Sequence, residues 1–144
     1  MKKLMLFISI IIFSVSIFAH GPTPQKVQES ITVGISPSKA YAALKDFSAF
    51  KKFMKTRSSD DDLMKVKYAL LKEDGPFTDY NAYIIVRKGS NDNESIIQWT
   101  ARFYRTYKLN PPIPKGQDDA TAKAAVQAIV EKGLKDLKNS LSSN

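Results

Sequence analysis

The apolar pattern near the C-terminal end of the chain is the feature that most constrains its fold. After Asp118 and Asp119, apolar residues recur at helical spacing while lysines occupy the opposite side, which predicts a long amphipathic helix. The predicted inner stripe consists of Ala122, Ala125, Val126, Ile129, Gly133, Leu134 and Leu137. Either aspartate can cap the helix, because a carboxylate there accepts hydrogen bonds from free backbone N–H groups. A helix with one apolar face needs a second layer to cover it.

Alternating residues upstream predict that second layer. Apolar and polar residues alternate over Val27–Ile35, again from Leu63 to Leu70, and again from Ile96 to Phe103. Such alternation is typical of strands with one buried face. The segment Tyr80–Arg87 is apolar on both faces, as expected for a central or well-covered strand. The sequence therefore predicts an antiparallel sheet with Val66, Trp99 and Phe103 among its inward residues.

Two short helices are predicted between the first strand and the later ones. Ser36 and Pro37 suit the start of a helix that runs to about Asp46. Ser48 can cap a second helix that contains Phe50, Phe53 and Met54, and the polar segment from residue 57 to residue 62 is expected to be a loop. The order of elements indicates an α+β domain whose curved sheet packs on the C-terminal helix.

The N-terminal segment has the layout of a secretory signal peptide. Lys2 and Lys3 precede an apolar run from Leu4 to Phe18, and the small residue Ala19 is followed by a helix-breaking segment. The run is shorter than the roughly 20 residues that cross a bilayer. We therefore expect residues 1–19 to be removed and residues 20–144 to form a single periplasmic domain without a stable membrane anchor. An uncleaved N-terminal anchor is the alternative.

Composition excludes several classes of site. The chain has no cysteine and one histidine, which excludes thiol nucleophiles, disulfides and the usual zinc and copper sites. We expect no metal and no cofactor. The inward strand positions contain no carboxylate whose pKa burial could raise for acid–base catalysis, so no enzymatic activity is expected. The formal charge of +8 favours anionic proteins or membrane surfaces over nucleic acid as partners outside the cytoplasm.

Several segments of the chain resemble a known family. Ser36-Pro37 at the start of the first helix and Lys45-Asp46-Phe47 at its end resemble the START/polyketide-cyclase-like superfamily, which has the helix-grip fold. The segments 20–27, 99–105 and 110–112 resemble the MxaD-type periplasmic proteins of methylotrophs. This resemblance implies a non-enzymatic accessory of methanol oxidation that promotes electron transfer between methanol dehydrogenase and its cytochrome c. Family members carry further strands before the strand at Leu63, and the short segment 55–62 cannot hold two, so a reduced sheet is predicted.

Two sets of residues are candidate binding sites. The first set would dock an acidic partner, methanol dehydrogenase or its cytochrome c by resemblance, although ordinary solvated lysines would give the same pattern. It comprises Lys51, Lys52, Lys55, Arg57, Arg102, Tyr104, Arg105, Tyr107 and Lys108. The second set would line a cavity for a small hydrophobic ligand between the sheet and the last helix. It comprises Tyr68, Tyr83, Trp99, Phe103 and Ile129.

Overall fold

The structure, a computed structural model, describes residues 21–143. The predicted signal peptide at residues 1–19 and His20 lie outside the described residues. The elements in chain order are β1 (Gln25–Val33), α1 (Pro37–Asp46), α2 (Ser48–Lys51), β2 (Met54–Asp60), β3 (Lys65–Leu70), β4 (Phe77–Lys88), β5 (Ser95–Arg105) and α3 (Asp119–Ser142).

The five strands form one antiparallel sheet in the order β1-β5-β4-β3-β2. Strands β2 to β5 follow one another as neighbours, whereas β1 pairs with the last strand, from Gln25 opposite Phe103 to Val33 opposite Ser95. The first strand therefore begins and ends two residues earlier than the predicted Val27–Ile35. The α+β class, the antiparallel sheet and the long C-terminal helix are confirmed.

The hydrophobic core lies between α3 and one face of the sheet, which we call the inner face. Trp99 and Phe103 on β5 are 0% and 1% exposed, as their alternation predicts. Val126 and Leu134 of α3 pack into the same core, and the predicted stripe member Ile129 is half-buried at its edge. Asp118 caps α3, because its carboxylate accepts a hydrogen bond from the Thr121 N–H at 2.9 Å. The amphipathic pattern thus places α3 correctly.

The predicted loop at residues 57–62 is wrong, because most of this segment belongs to strand β2. Ser58, Ser59 and Asp60 pair with β3, and a β-bulge follows Thr56. Every residue of β2 after Met54 is exposed, so the strand has no alternating apolar pattern to reveal it. Helix α2 accordingly ends at Lys51, and Met54 starts the strand instead of closing the helix. The segment holds one strand and a tight turn.

The turn after β2 is tied to helix α1. The Tyr41 hydroxyl donates a hydrogen bond to Asp61 Oδ1 at 2.7 Å, and Lys45 Nζ lies 3.1 Å from the same oxygen. Burial of the phenol and its bond to Asp61 raise the pKa of Tyr41 to about 12, and the two donors lower the pKa of Asp61. These contacts fix the edge of the sheet against the first helix, and they use polar groups that would otherwise be free to bind a ligand.

Candidate functional site

A groove with an apolar wall lies between α3 and the ends of β3 and β4. We call it the helix–sheet groove, and its volume is about 320 Å³. Its apolar wall is formed by Phe53, Leu70, Phe77 and Ile129, and Gly133 adds backbone surface without a side chain. Phe77 is buried, whereas Phe53, Leu70 and Ile129 are half-buried, so the groove is open to solvent along one side. An apolar molecule entering it would contact both layers of the fold.

Charged side chains border the groove and pair with one another. Lys72 Nζ lies 2.9 Å from Asp74 Oδ2, and Lys132 Nζ lies 2.6 Å from Asp136 Oδ2. The hydrogen bond to Asp74 and its negative charge raise the pKa of Lys72. These exposed pairs give the groove a polar rim. They contribute no isolated buried acid or base of the kind that proton-transfer chemistry uses.

Gly133 explains why the helix lies so close to the sheet beside the groove. A Cβ added at this position would be 2.5 Å from Cζ3 of Trp99, which is inside van der Waals contact. Helix α3 therefore rests directly on the indole ring. The ring also contacts Phe50, at 5.3 Å between centroids, and its Nε1 donates a hydrogen bond to the Tyr80 hydroxyl at 3.1 Å.

Of the five residues predicted to line a cavity, only Ile129 lies at the helix–sheet groove. Trp99 and Phe103 are fully packed in the core, where Phe103 contacts Phe77 at 6.3 Å between ring centroids. Tyr68 is 4% exposed and borders a small pocket of about 110 Å³ beside α1 and α2, and burial raises its pKa. Tyr83 lies on the opposite, outer face of the sheet. The structure therefore separates side chains that the prediction placed together.

The predicted docking residues fall into two groups with different surroundings. The four members of the first basic cluster, all exposed, are Lys51, Lys52, Lys55 and Arg57. In the second cluster Arg102 is exposed, Tyr104 and Tyr107 are half-buried, and Lys108 Nζ forms an ion pair with Asp79 Oδ2 at 2.9 Å. These side chains are accessible, and their role in docking stays a prediction.

Arg105 does not fit the predicted role of an exposed docking residue, because its side chain is only 6% exposed. Its Nε donates to the Tyr107 carbonyl at 2.8 Å, Nη2 donates to the Leu109 carbonyl at 3.4 Å, and Nη1 lies 3.1 Å from Asp119 Oδ2. The guanidinium thus holds the connector after β5 against the first turn of α3. Its register could have revealed this, since Arg105 lies two residues after Phe103 and so points to the inner face.

Residues 21–143 contain no group of three or more histidine, cysteine, aspartate or glutamate side chains arranged to hold a metal ion. Within the same range, no helix has the length and apolar character needed to cross a bilayer.

Comparisons with known proteins show similarity in fold. No protein-family model matches the chain, and no curated protein matches it either. An uncharacterised protein from Bacillus thuringiensis is similar in structure, with a TM-score of 0.64 and 17% identity over 81% of this chain and 98% of that one. The Zhui aromatase/cyclase from Streptomyces sp. R1128 gives a TM-score of 0.58 and 12% identity over 83% and 94% of the two chains. Ara h 8.0201 is also similar, with a TM-score of 0.58 and 13% identity over 85% of this chain and 100% of that one.

These structural neighbours establish the architecture of this chain as a helix-grip fold. The five-stranded curved sheet that packs on α3 is the form this fold takes here. The resemblance seen in the sequence is thereby confirmed at the level of the fold. Since a fold hosts many functions, the function must be argued from the sites themselves.

Proposed function

We propose that the protein binds a small hydrophobic molecule in the helix–sheet groove. The observation that carries this proposal is the groove itself, about 320 Å³ with an apolar wall and a rim of ion pairs. This volume falls within the range of small-molecule sites, which are mostly apolar with a few polar groups at their edges. A ligand with an apolar body and a polar end suits this arrangement, because the body is removed from water while the end reaches the charged rim.

A fluorescence titration with the uncharged probe N-phenyl-1-naphthylamine tests the proposal. An uncharged probe is needed because the protein is basic and would attract an anionic dye wherever lysines lie. We expect saturable binding that Ile129→Gln weakens about tenfold, since a polar amide replaces apolar surface in the groove wall. Native mass spectrometry of the purified protein should also detect a co-purifying small molecule.

Ile96→Gln is the matched control. Ile96 lies on β5, is 37% exposed and faces away from α3, so the same substitution there changes hydrophobicity without touching the groove. Probe binding by the Ile96 variant should equal that of the unmodified protein. Equal loss in both variants, or no saturable binding by a folded protein, would overturn the proposed ligand site.

A second proposed role rests on the sequence resemblance and on the first basic cluster. In this proposal the protein is a non-enzymatic periplasmic accessory that promotes electron transfer between methanol dehydrogenase and its cytochrome c. Its four exposed cations form no salt bridge within residues 21–143, so they are free to attract an acidic partner. Export through the predicted signal peptide would bring the protein to those partners. Long-range attraction of this kind raises association rates and weakens with salt.

Methanol-dependent reduction of cytochrome c measures this role directly. The rate at which methanol dehydrogenase reduces its cytochrome c should rise when the purified protein is added at low ionic strength. At high salt this increase should disappear. Lys51→Glu combined with Lys52→Glu should remove the increase. Lys123→Glu combined with Lys135→Glu changes the net charge by the same amount at exposed positions of α3, and this variant should still increase the rate. No rate increase with the unmodified, folded protein would exclude this role.

A further inference from the structure

The outer face of the sheet carries a second concavity, whose chemistry is opposite to that of the groove. Lys67, Tyr83 and Thr100 are register partners in one row across β3, β4 and β5, and Asn81 and Arg102 are partners in the adjacent row. Together they line a pocket of about 150 Å³, which we call the outer-face pocket. Because side chains alternate between the two faces of a strand, this pocket is separated from the helix–sheet groove by the thickness of the sheet.

Positive charge surrounds the outer-face pocket. Lys67 and Arg102 line it, Lys26 lies opposite Arg102 in the register, and Lys65 and Arg87 occupy outer positions on β3 and β4. None of these five cations forms a salt bridge within residues 21–143. The pocket lining itself includes no carboxylate. An anion placed there would neutralise like charges that now repel one another.

Tyr83 lies within this cluster of cations, and its ring contacts one of them. The neighbouring Thr100 hydroxyl is the main cause that lowers the pKa of Tyr83, and the charges of Lys65, Lys26 and Arg87 lower it further. The Lys65 ammonium lies over the ring of Tyr83, with Nζ 4.3 Å from the centroid. Each of these neighbours favours a negative charge at the phenol oxygen. The same neighbours would favour a negative charge supplied by a ligand.

The donors around the outer-face pocket match the needs of an oxyanion. An ammonium, a guanidinium, a side-chain amide and the Tyr83 hydroxyl border one small space. The Thr100 hydroxyl also lies there, but it donates to Gln28 Oε1 at 3.4 Å. A guanidinium can donate two parallel hydrogen bonds to a phosphate, and hydrogen bonds to a charged acceptor are about twice as strong as neutral ones. We propose that the outer-face pocket binds a single phosphate-type oxyanion, supplied either by a free phosphate compound or by the headgroup of a phospholipid.

Titration with inorganic phosphate, followed by backbone amide shifts in nuclear magnetic resonance spectra, tests this proposal. Sodium chloride is adjusted to hold the ionic strength constant. We expect saturable shifts confined to β3, β4 and β5 around the pocket. Lys67→Gln combined with Arg102→Gln should weaken binding at least tenfold. The matched control, Lys123→Gln combined with Lys135→Gln, removes two exposed charges from α3 and should bind phosphate normally.

Flotation with vesicles distinguishes the two sources of the phosphate group. Binding to phosphatidylglycerol vesicles but not to phosphatidylcholine vesicles, lost in the pocket variant alone, would support a phospholipid headgroup as the source. Saturable binding of inorganic phosphate without flotation would support a free compound. Shifts that rise linearly over all lysine-bearing surfaces, or equal phosphate binding by the pocket and α3 variants, would overturn the proposal. Binding of the neutral groove probe is scored separately, so failure here leaves the groove proposal standing.

Discussion

Replacing Gly133 with alanine should destabilise the protein, although alanine is the better helix former. A Cβ at this position would lie 2.5 Å from Cζ3 and 3.0 Å from Cη2 of Trp99. The indole ring cannot retreat freely, because it is fully buried and hydrogen-bonded to Tyr80. Alanine gains about 1 kcal/mol of helix propensity over glycine, whereas overpacking a core costs about 1–3 kcal/mol. Since this contact is short and the ring is rigid, we expect a net loss of about 1–2 kcal/mol in the free energy of unfolding.

Urea unfolding of three further variants isolates the cause. Ala128 is exposed on the same helix, so Ala128→Gly measures helix propensity without a clash and should cost about 1 kcal/mol. In a Trp99→Phe background the smaller ring removes the two closest atoms that a Cβ would meet, and Phe50 Cε1 at 3.4 Å is at ordinary contact distance. There Gly133→Ala should be neutral or stabilising. A Gly133→Ala variant that is more stable than the unmodified protein, by the amount that Ala128→Gly loses, would refute the close packing inferred for α3.

Three further predictions follow from buried and charged groups. Arg105→Met should lower the free energy of unfolding in urea by about 2–3 kcal/mol. This loss is smaller than is usual for a broken buried ion pair, because Asp119 is partly exposed. Unchanged stability would contradict the structural role of Arg105. The pKa of Asp118 is lowered by hydrogen bonding to Thr121, first to its side chain and then to its backbone. Its contribution to stability is therefore present above its unfolded pKa and lost as pH falls through the lower folded pKa. Thermal melts between neutral pH and about pH 3 should show this loss, and an equal loss in Asp118→Asn would assign it to other groups. In an ultraviolet absorbance titration Tyr83 should ionise before Tyr41, whose pKa is about 12, and an early step that survives Tyr83→Phe would belong to another tyrosine.

The elements that the sequence predicts well are those with one buried face. Trp99 and Phe103 alternate with polar neighbours, and both are fully buried on β5. Val126 and Leu134 recur at helical spacing, and both face the core from α3. Strand β2 lacks such a pattern, because it lies at the edge of the sheet with all but its first residue exposed. It is a strand because β3 pairs with it, and that pairing is not encoded in a local pattern.

The binding sites were harder to predict than the elements for a physical reason. Alternation shows that Trp99 and Phe103 point inward, but it does not show whether the space beyond them is empty or filled. Here Phe50 and α3 fill it, and the free space lies farther along the helix at Ile129. The charge of Arg105 suggests an exposed side chain, but its position in β5 places it on the inner face of the sheet. The outer-face pocket depends on which residues of three strands lie side by side, which a single strand does not reveal.

Strand β5 lines the outer-face pocket directly and supports the helix–sheet groove from the core, through the contact of Phe103 with Phe77. Phe103 packs in the core behind the groove while its neighbour Arg102 lines the outer-face pocket, because consecutive residues of a strand point to opposite faces. A slip of one residue would move every core side chain of β5 outward and every pocket side chain inward. Pairing with β1 on one side and β4 on the other prevents such a slip. The two sites can therefore change by substitution independently, while any change that loosens β5 should weaken both together.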